Sequence, residues 1–324
     1  MHFYIIIYES YLIKLNLNIV YMITKYKLYF LTLVVSLLLL GCASKQNFID
    51  KSGSITKETY TYHTFENKKK LQLDFYQSIN YKNTKPLILY VHGGGFSGGA
   101  RDENYIKNYC SKMAKNGFAV ASVSYRLTMK KLGFGCNTEA SLKKEAFTKA
   151  SEDISYATKY LIDNKKKFNI DTTKVILVGS SAGAEAILNL AYVYENKILE
   201  EEFKYAGVIA MAGAITSIEK ISTKRAIPTL LFHGTKDKLV PYNVAPHHYC
   251  KKNKKGYLQL YGSKAIANKL KELNTSYNLY TIQNGNHSWN SKPMFVYFRE
   301  MISFIDHQVL QSKYQQKEVV KKNK

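Results

Sequence analysis

The sequence predicts an α/β protein with a mostly parallel central sheet flanked by helices, and three observations predict it. Strand-like and helix-like segments alternate along most of the chain. Some of the strand-like ones, such as "PLILYVHGG" (86–94), are apolar without interruption, as strands buried on both faces must be. At 324 residues the chain is long enough for one such domain with a large core.

The elements follow in order. "ETYTYHTF" (58–65) and "LQLDFYQ" (71–77) read as an opening hairpin. After the apolar strand at 86–94, "ENYIKNYCSKMAKNG" (103–117) has helical spacing and ends at a glycine. Then come "FAVASVSYRL" (118–127) as strand, "KEAFTKASEDISYATKYLIDNKKKF" (144–168) as helix and "KVILVG" (174–179) as strand. "SAGAEAILNLAYVYEN" (181–196) is helix and "YAGVIAMAGA" (205–214) strand. "PTLLFHG" (228–234) and "SYNLYTIQ" (276–283) complete the strands, and "MFVYFREMISFID" (294–306) is a closing helix. The polar run at 311–324 is expected to be a disordered tail. Function in open sheets of this kind gathers at the carboxyl ends of the strands.

The N-terminal region is expected to be targeting sequence. From Met22 the chain reads "MITKYKLYFLTLVVSLLLLGCAS": two lysines, an apolar run, then Gly41-Cys42. The run from Leu28 to Leu40 falls short of the ~20 residues a spanning helix needs. The Gly41-Cys42 step resembles the lipobox of bacterial lipoproteins, although Leu40 is bulkier than that pattern usually has. The resemblance implies removal of residues 1–41, lipid on Cys42, a polar linker at 42–54 and a domain at 55–310. It also implies export, with membrane anchoring in the cell envelope; the alternative is an uncleaved signal anchor.

Charge excludes less than it first suggests. The formal net charge is +23, yet only four of the 47 cationic residues are arginine: Arg101, Arg126, Arg225 and Arg299. Arginine supplies the planar fork that reads phosphate and guanine, so no nucleic-acid partner is expected. A solvated lysine surface is the expected meaning. Without Cys42, three cysteines remain, and Cys136 and Cys250 both fall in segments placed over the site. Their bridging, with Cys110 left in the core, is the expectation; none has zinc-ligand spacing.

Gly-x-Ser-x-Gly occurs twice, as Gly95-Phe96-Ser97-Gly98-Gly99 and as Gly179-Ser180-Ser181-Ala182-Gly183. Only the second joins a strand directly to a helix, with small residues where a strained turn needs them. Ser181 is therefore the candidate nucleophile, and Ser180 should point elsewhere. A serine needs a base, and the base an orienting acid. His287, in "QNGNHSWN" after the last strand, is the expected base, and Asp237, in "FHGTKDKLVP", the acid. His247 and His248 fit a pocket wall better, and His307 a helix. "HGGGF" (92–96) offers unscreened backbone N–H groups, so Gly94 and Gly95 are expected to form an oxyanion hole with Ala182. His92 is read as structural, and Glu185 as a helix-surface or supporting carboxylate.

Together, His92-Gly93-Gly94-Gly95, Gly179-x-Ser181-x-Gly183, Asp237 and His287 resemble an α/β-hydrolase of the carboxylesterase type, similar to bacterial esterases related to hormone-sensitive lipase. The resemblance covers roughly residues 55–310. It implies the α/β-hydrolase fold and carboxylic-ester hydrolysis through an acyl-enzyme, without metal or cofactor. Two departures stand out. Ser180 replaces the aspartate common at the elbow, and too few residues precede Pro86 for a helical cap. Cover must come from insertions at 128–144 and 241–262, whose Tyr, His and Lys suggest a polar, partly aromatic pocket. The substrate class is a small-molecule or carbohydrate-linked ester, such as an acetyl or feruloyl polysaccharide ester, though no residue selects it. Two other readings stay open: a serine peptidase of the prolyl-oligopeptidase type, and a non-catalytic surface binding protein on the same fold. Acyl group, alcohol group and oligomeric state lie beyond the sequence.

Overall fold

A computed structural model describes residues 22, 25, 48–49, 55–81 and 83–323. The chain divides into two units, Met1–Gln46 and Asn47–Lys324. In the first, only Met22 and Lys25 are described, both helical. The candidate signal run and Cys42 lie outside the described residues.

The second unit is built on one ten-stranded sheet, in the order β1-β2-β3-β5-β4-β6-β7-β9-β12-β13. Its strands are β1 (Phe48–Ile49), β2 (Ile55–Thr64), β3 (Lys70–Ser78), β4 (Lys85–Val91) and β5 (Ala119–Val123), then β6 (Ile170–Ser180), β7 (Gly207–Met211), β9 (Thr229–Gly234), β12 (Tyr277–Gln283) and β13 (Gln316–Lys322). The opening hairpin β2–β3 is antiparallel, and β3 joins β5 antiparallel. From β5 onward every neighbour is parallel.

Alternation explains the continuous apolar runs. Along β4, Leu87, Leu89 and Val91 enter one hydrophobic core while Ile88 and Tyr90 enter the other. In β6, Val175 and Leu177 part from Ile176 and Val178 in the same way. Successive side chains leave opposite faces of a strand, so a strand covered on both sides needs apolar residues throughout. Helices α1 (Asn104–Lys115) and α7 (Phe298–Phe304) fill the second core through Ile106, Tyr109, Met301 and Phe304. The first core takes α2 (Ala140–Asp163), α4 (Ala182–Tyr192) and α5 (Ser263–Glu272). A short α3 (Lys165–Phe168) precedes β6.

Several expectations change. The segment 311–324 is not a free tail: β13 pairs in parallel with β12 from Tyr277↔Gln316 to Gln283↔Lys322. An edge strand needs only the backbone ladder, so five of its seven side chains are polar and hydropathy carries little signal. Glu318 adds contacts to Tyr277 at 3.1 Å and Lys264 at 2.7 Å. Within the expected linker, Phe48 and Ile49 pair antiparallel with Lys57 and Thr56 of β2. The closing helix is interrupted at Tyr297, between α6 (Pro293–Val296) and α7. A second sheet, β10 (Val244–Pro246), β11 (Gln259–Gly262) and β8 (Ala214–Ile215), and the helix α5 were not foreseen. Cys136 and Cys250 are bridged, with Cα atoms 5.3 Å apart, and Cys110 is a buried free thiol.

Candidate active site

The sharp turn between β6 and α4 sets the geometry of the site. Ser181 sits on it with φ +51° and ψ −123°, a region side chains avoid. Its N–H donates to Met211 O on β7 at 2.9 Å, and its carbonyl accepts from Glu185 N at 2.9 Å. The small flanking residues answer to close backbone approach. A Cβ on Gly183 would stand 2.1 Å from Val91 O on β4, and one on Gly179 2.6 Å from Gly183 O. Ser180, buried, points away and accepts from Tyr90 Oη at 3.3 Å.

His287 and Asp237 arrive from the ends of β12 and β9. Ser181 Oγ lies 2.8 Å from His287 Nε2, and His287 Nδ1 lies 2.7 Å from Asp237 Oδ2. Donation from Nδ1–H to the carboxylate leaves the Nε2 lone pair facing the serine hydroxyl. Asp237 Oδ1 accepts from Leu239 N (2.9 Å) and Val240 N (3.1 Å), which anchors the acid. The His287 turn is held too: Asn290 Nδ2 donates to His287 O at 2.6 Å, and Trp289 Nε1 to Asn323 Oδ1 at 2.8 Å. Burial alone would raise the Asp237 pKa. The contacts from His233 and His287 outweigh it and hold the carboxyl well below the usual range.

His233 is a residue the sequence reading missed. It is fully buried, with Nε2 3.1 Å from Val240 O and 3.4 Å from Asp237 Oδ2, and Nδ1 2.8 Å from Ser263 Oγ. The only signal was its place four residues before Asp237, in a segment read as strand.

The glycine loop after β4 borders the same serine. Gly94 has φ +115° and Gly95 φ +59°. Gly94 O accepts from Ser97 N and Gly98 N, at 3.0 and 2.9 Å, which closes the loop on itself. Ala182 opens α4, so its N–H has no acceptor within the helix. Among the described residues Ser97 meets no histidine; its Oγ donates to Gly94 O at 3.1 Å. His92 Nδ1 donates to Gly93 O at 2.7 Å and its ring stacks on Tyr125, a structural arrangement. His307 is exposed and bonds within its own helical turn.

A cleft of ≈ 530 Å³ opens over Ser181 and His287. Both insertions border it: Phe134 comes from 128–144, and His247 and His248 from 241–262. The Cys136–Cys250 bridge ties those insertions together. Glu185 also lines the cleft and is buried, so it is not a helix-surface group. A groove of ≈ 560 Å³ beside Tyr194, Phe203 and Arg225 holds none of these residues. Among the described residues no cluster of three or more His, Cys, Asp or Glu is arranged for a metal ion.

The family model BD-FAE matches residues 73–211, which span β3 through the elbow to β7. Fumonisin B1 esterase of Sphingopyxis macrogoltabida is 33% identical over 111 residues, 33% of this chain and 19% of that protein. The solved structure of esterase 2 of Thermogutta terrifontis, phosphonylated by cyclosarin, superposes with a TM-score of 0.58 at 15% identity, over 79% of this chain and 94% of that one. The chain shares its fold with the solved esterase and, over part of its length, its sequence with the fumonisin esterase. A further relative is endo-1,4-beta-xylanase B of Butyrivibrio fibrisolvens, 25% identical over 215 residues, 62% of this chain and 32% of that protein. The chain thus spans a third or less of the length of both curated relatives.

Proposed function

We propose that this α/β-hydrolase cleaves carboxylic esters through transient acylation of Ser181. The observation that carries the reading is the run of short contacts from Ser181 Oγ through His287 to Asp237, 2.8 and 2.7 Å. His287 Nε2 takes the hydroxyl proton as Oγ attacks the ester carbonyl carbon. The displaced electron pair settles on the carbonyl oxygen, where the N–H groups of Gly94, Gly95 and Ala182 bear it. One such donor is worth ~3 kcal/mol of barrier. Collapse expels the alcohol, which leaves with the proton from His287. Water then attacks the acyl-enzyme by the same steps and frees the acid. Asp237 stays ionised throughout and offsets the imidazolium charge.

A relative named as an esterase supports an ester substrate over a peptide. The test is hydrolysis of 4-nitrophenyl acetate, butyrate and octanoate by the chain from Ala43. Wild type and Ser97→Ala should turn over, and Ser181→Ala should lose at least ~10⁴-fold in kcat. A wild type that is inert and also takes no fluorophosphonate on Ser181 would sink the reading. Cys42 is further read as the lipid-bearing first residue of an exported, membrane-anchored protein, on its sequence context alone. Incorporation of labelled palmitate should then vanish in Cys42→Ser; unchanged incorporation would refute it.

A further inference from the structure

One helical turn beyond the nucleophile, Glu185 lines the cleft although it is only 2% exposed, and His247 does so at 1%. Glu185 Oε1 and His247 Nε2 lie 3.4 Å apart without a hydrogen bond. Glu185 Oε1 and His247 Nδ1 are buried and take no hydrogen bond from any described group. Buried polar atoms are nearly always partnered, and one left open at a cleft is a place for a ligand's group.

Burial works against an ion pair at this contact. Burial raises the Glu185 carboxyl well above its usual range, with the Asp237 charge adding to this and Lys143 opposing it. Burial likewise holds His247 well below its ordinary value; His248, Lys143 and His287 add to this and Asp237 opposes it. Both shifts favour the uncharged forms, a carboxyl and an imidazole that each have donor and acceptor capacity. Lys143 is already engaged, donating to Gly256 O at 2.9 Å. The Phe134 ring packs edge-on against His247 at 4.7 Å, which keeps that side of the pair apolar.

We propose that Glu185 and His247 form a hydrogen-bonding subsite beside Ser181 that selects esters carrying an uncharged hydroxyl next to the ester bond. The inference rests on the ester-hydrolase reading. A hydroxyl both donates and accepts, which is what a neutral carboxyl and a neutral imidazole can answer together. A carboxylate in the same place would feel the Asp237 charge. An ammonium would be repelled by Lys143, and the Asp237 oxygens are already taken by His287, Leu239 N and Val240 N.

Two pairs of esters that swap a methyl for a hydroxyl test this on either side of the scissile bond. They are ethyl propionate against ethyl glycolate, and propyl acetate against 2-hydroxyethyl acetate. Each is assayed by proton release with wild type, Glu185→Leu, His247→Phe and Glu185→Gln, with uncatalysed rates subtracted. Wild type should favour the hydroxyl member of at least one pair by about tenfold in kcat/KM. That ratio should fall to about one in Glu185→Leu and in His247→Phe and survive in Glu185→Gln, which keeps a neutral donor and acceptor. If Glu185→Leu does not fold, His247→Phe alone decides. A wild-type ratio near one, or the same ratio in the variants, overturns the subsite and leaves ester hydrolysis standing. No turnover of any of the four esters by a wild type that hydrolyses 4-nitrophenyl acetate overturns the subsite alone, and inertness on that ester too, with Ser181 unlabelled by fluorophosphonate, overturns both.

Discussion

Single residues at this site are held by more than one constraint. Ser181 keeps its left-handed backbone because Met211 O, the start of α4 and the close approach of Gly183 to Val91 all act on the same turn. Asp237 orients His287 through one oxygen while two backbone N–H groups hold the other. Asp237→Asn keeps the shape but places an amide donor against the imidazole, favouring the wrong tautomer. Its kcat on 4-nitrophenyl butyrate should fall by about 10⁴ with little change in melting temperature. A loss under tenfold would place the acid elsewhere. Glu185 acts on stability in the opposite sense to a paired carboxylate. Its raised pKa means the fold keeps a proton that the unfolded chain gives up above about pH 4.3. The stability tied to that proton is full below this pH and is lost as pH rises towards the raised folded value. Relative to wild type, the melting temperature of Glu185→Gln should therefore be higher at about pH 7.5 than at about pH 4. Equal differences at the two would mean that Glu185 is ionised in the fold.

Elements that bear no chemistry still shape the cleft. Its cover comes from two loop insertions after strands, joined by Cys136–Cys250 across 114 residues. Closing so long a loop constrains the unfolded chain, so Cys136→Ser should cost about 2–4 kcal/mol in denaturant unfolding. Thiol titration of the unfolded chain from Ala43 should find Cys110 alone before reduction and all three cysteines after it. Three thiols without reductant would show that the bridge does not form. At the other end of the sheet, β13 covers the edge of β12, and Asn323 just beyond it reaches Trp289 in the His287 turn. Truncation after Gln311 exposes the β12 edge and releases that turn. Light scattering should then report association, with kcat reduced several-fold. A truncated chain that stays monomeric and fully active would reduce β13 to an ornament of the fold.

At the scale of the molecule, the dominant feature is charge. A net +23 on the chain, carried mostly by lysine, sets a self-repulsion that folding concentrates. Among the described residues, ion pairs relieve it inside the fold at Lys57 and Arg101 on the buried Asp74 and at Arg126 on Asp153, and on the surface at pairs such as Lys264–Glu318 and Lys159–Asp163. Raising the salt from about 20 mM to about 300 mM screens the excess. The melting temperature should rise over that range. A fall would mean that paired charges outweigh the repulsion.

The sequence by itself determined the sheet class, most of its strands, and which serine sits on a strand-to-helix turn. Those features are written locally: unbroken apolar runs for strands covered on both faces, and small residues where backbones meet. It also named His287 and Asp237, which chain order after the elbow confines to few choices. Only the tertiary structure decided the rest. Strand β13 is mostly polar because an edge needs only backbone bonds, so little hydropathy marks it. His233 reads as one more strand residue until β9 and the Asp237 loop are folded together. Glu185 looks like a helix-surface carboxylate until His247, 62 positions later in the chain, closes over it. Such groups gain their properties from burial and from neighbours remote in sequence, and no local pattern records either.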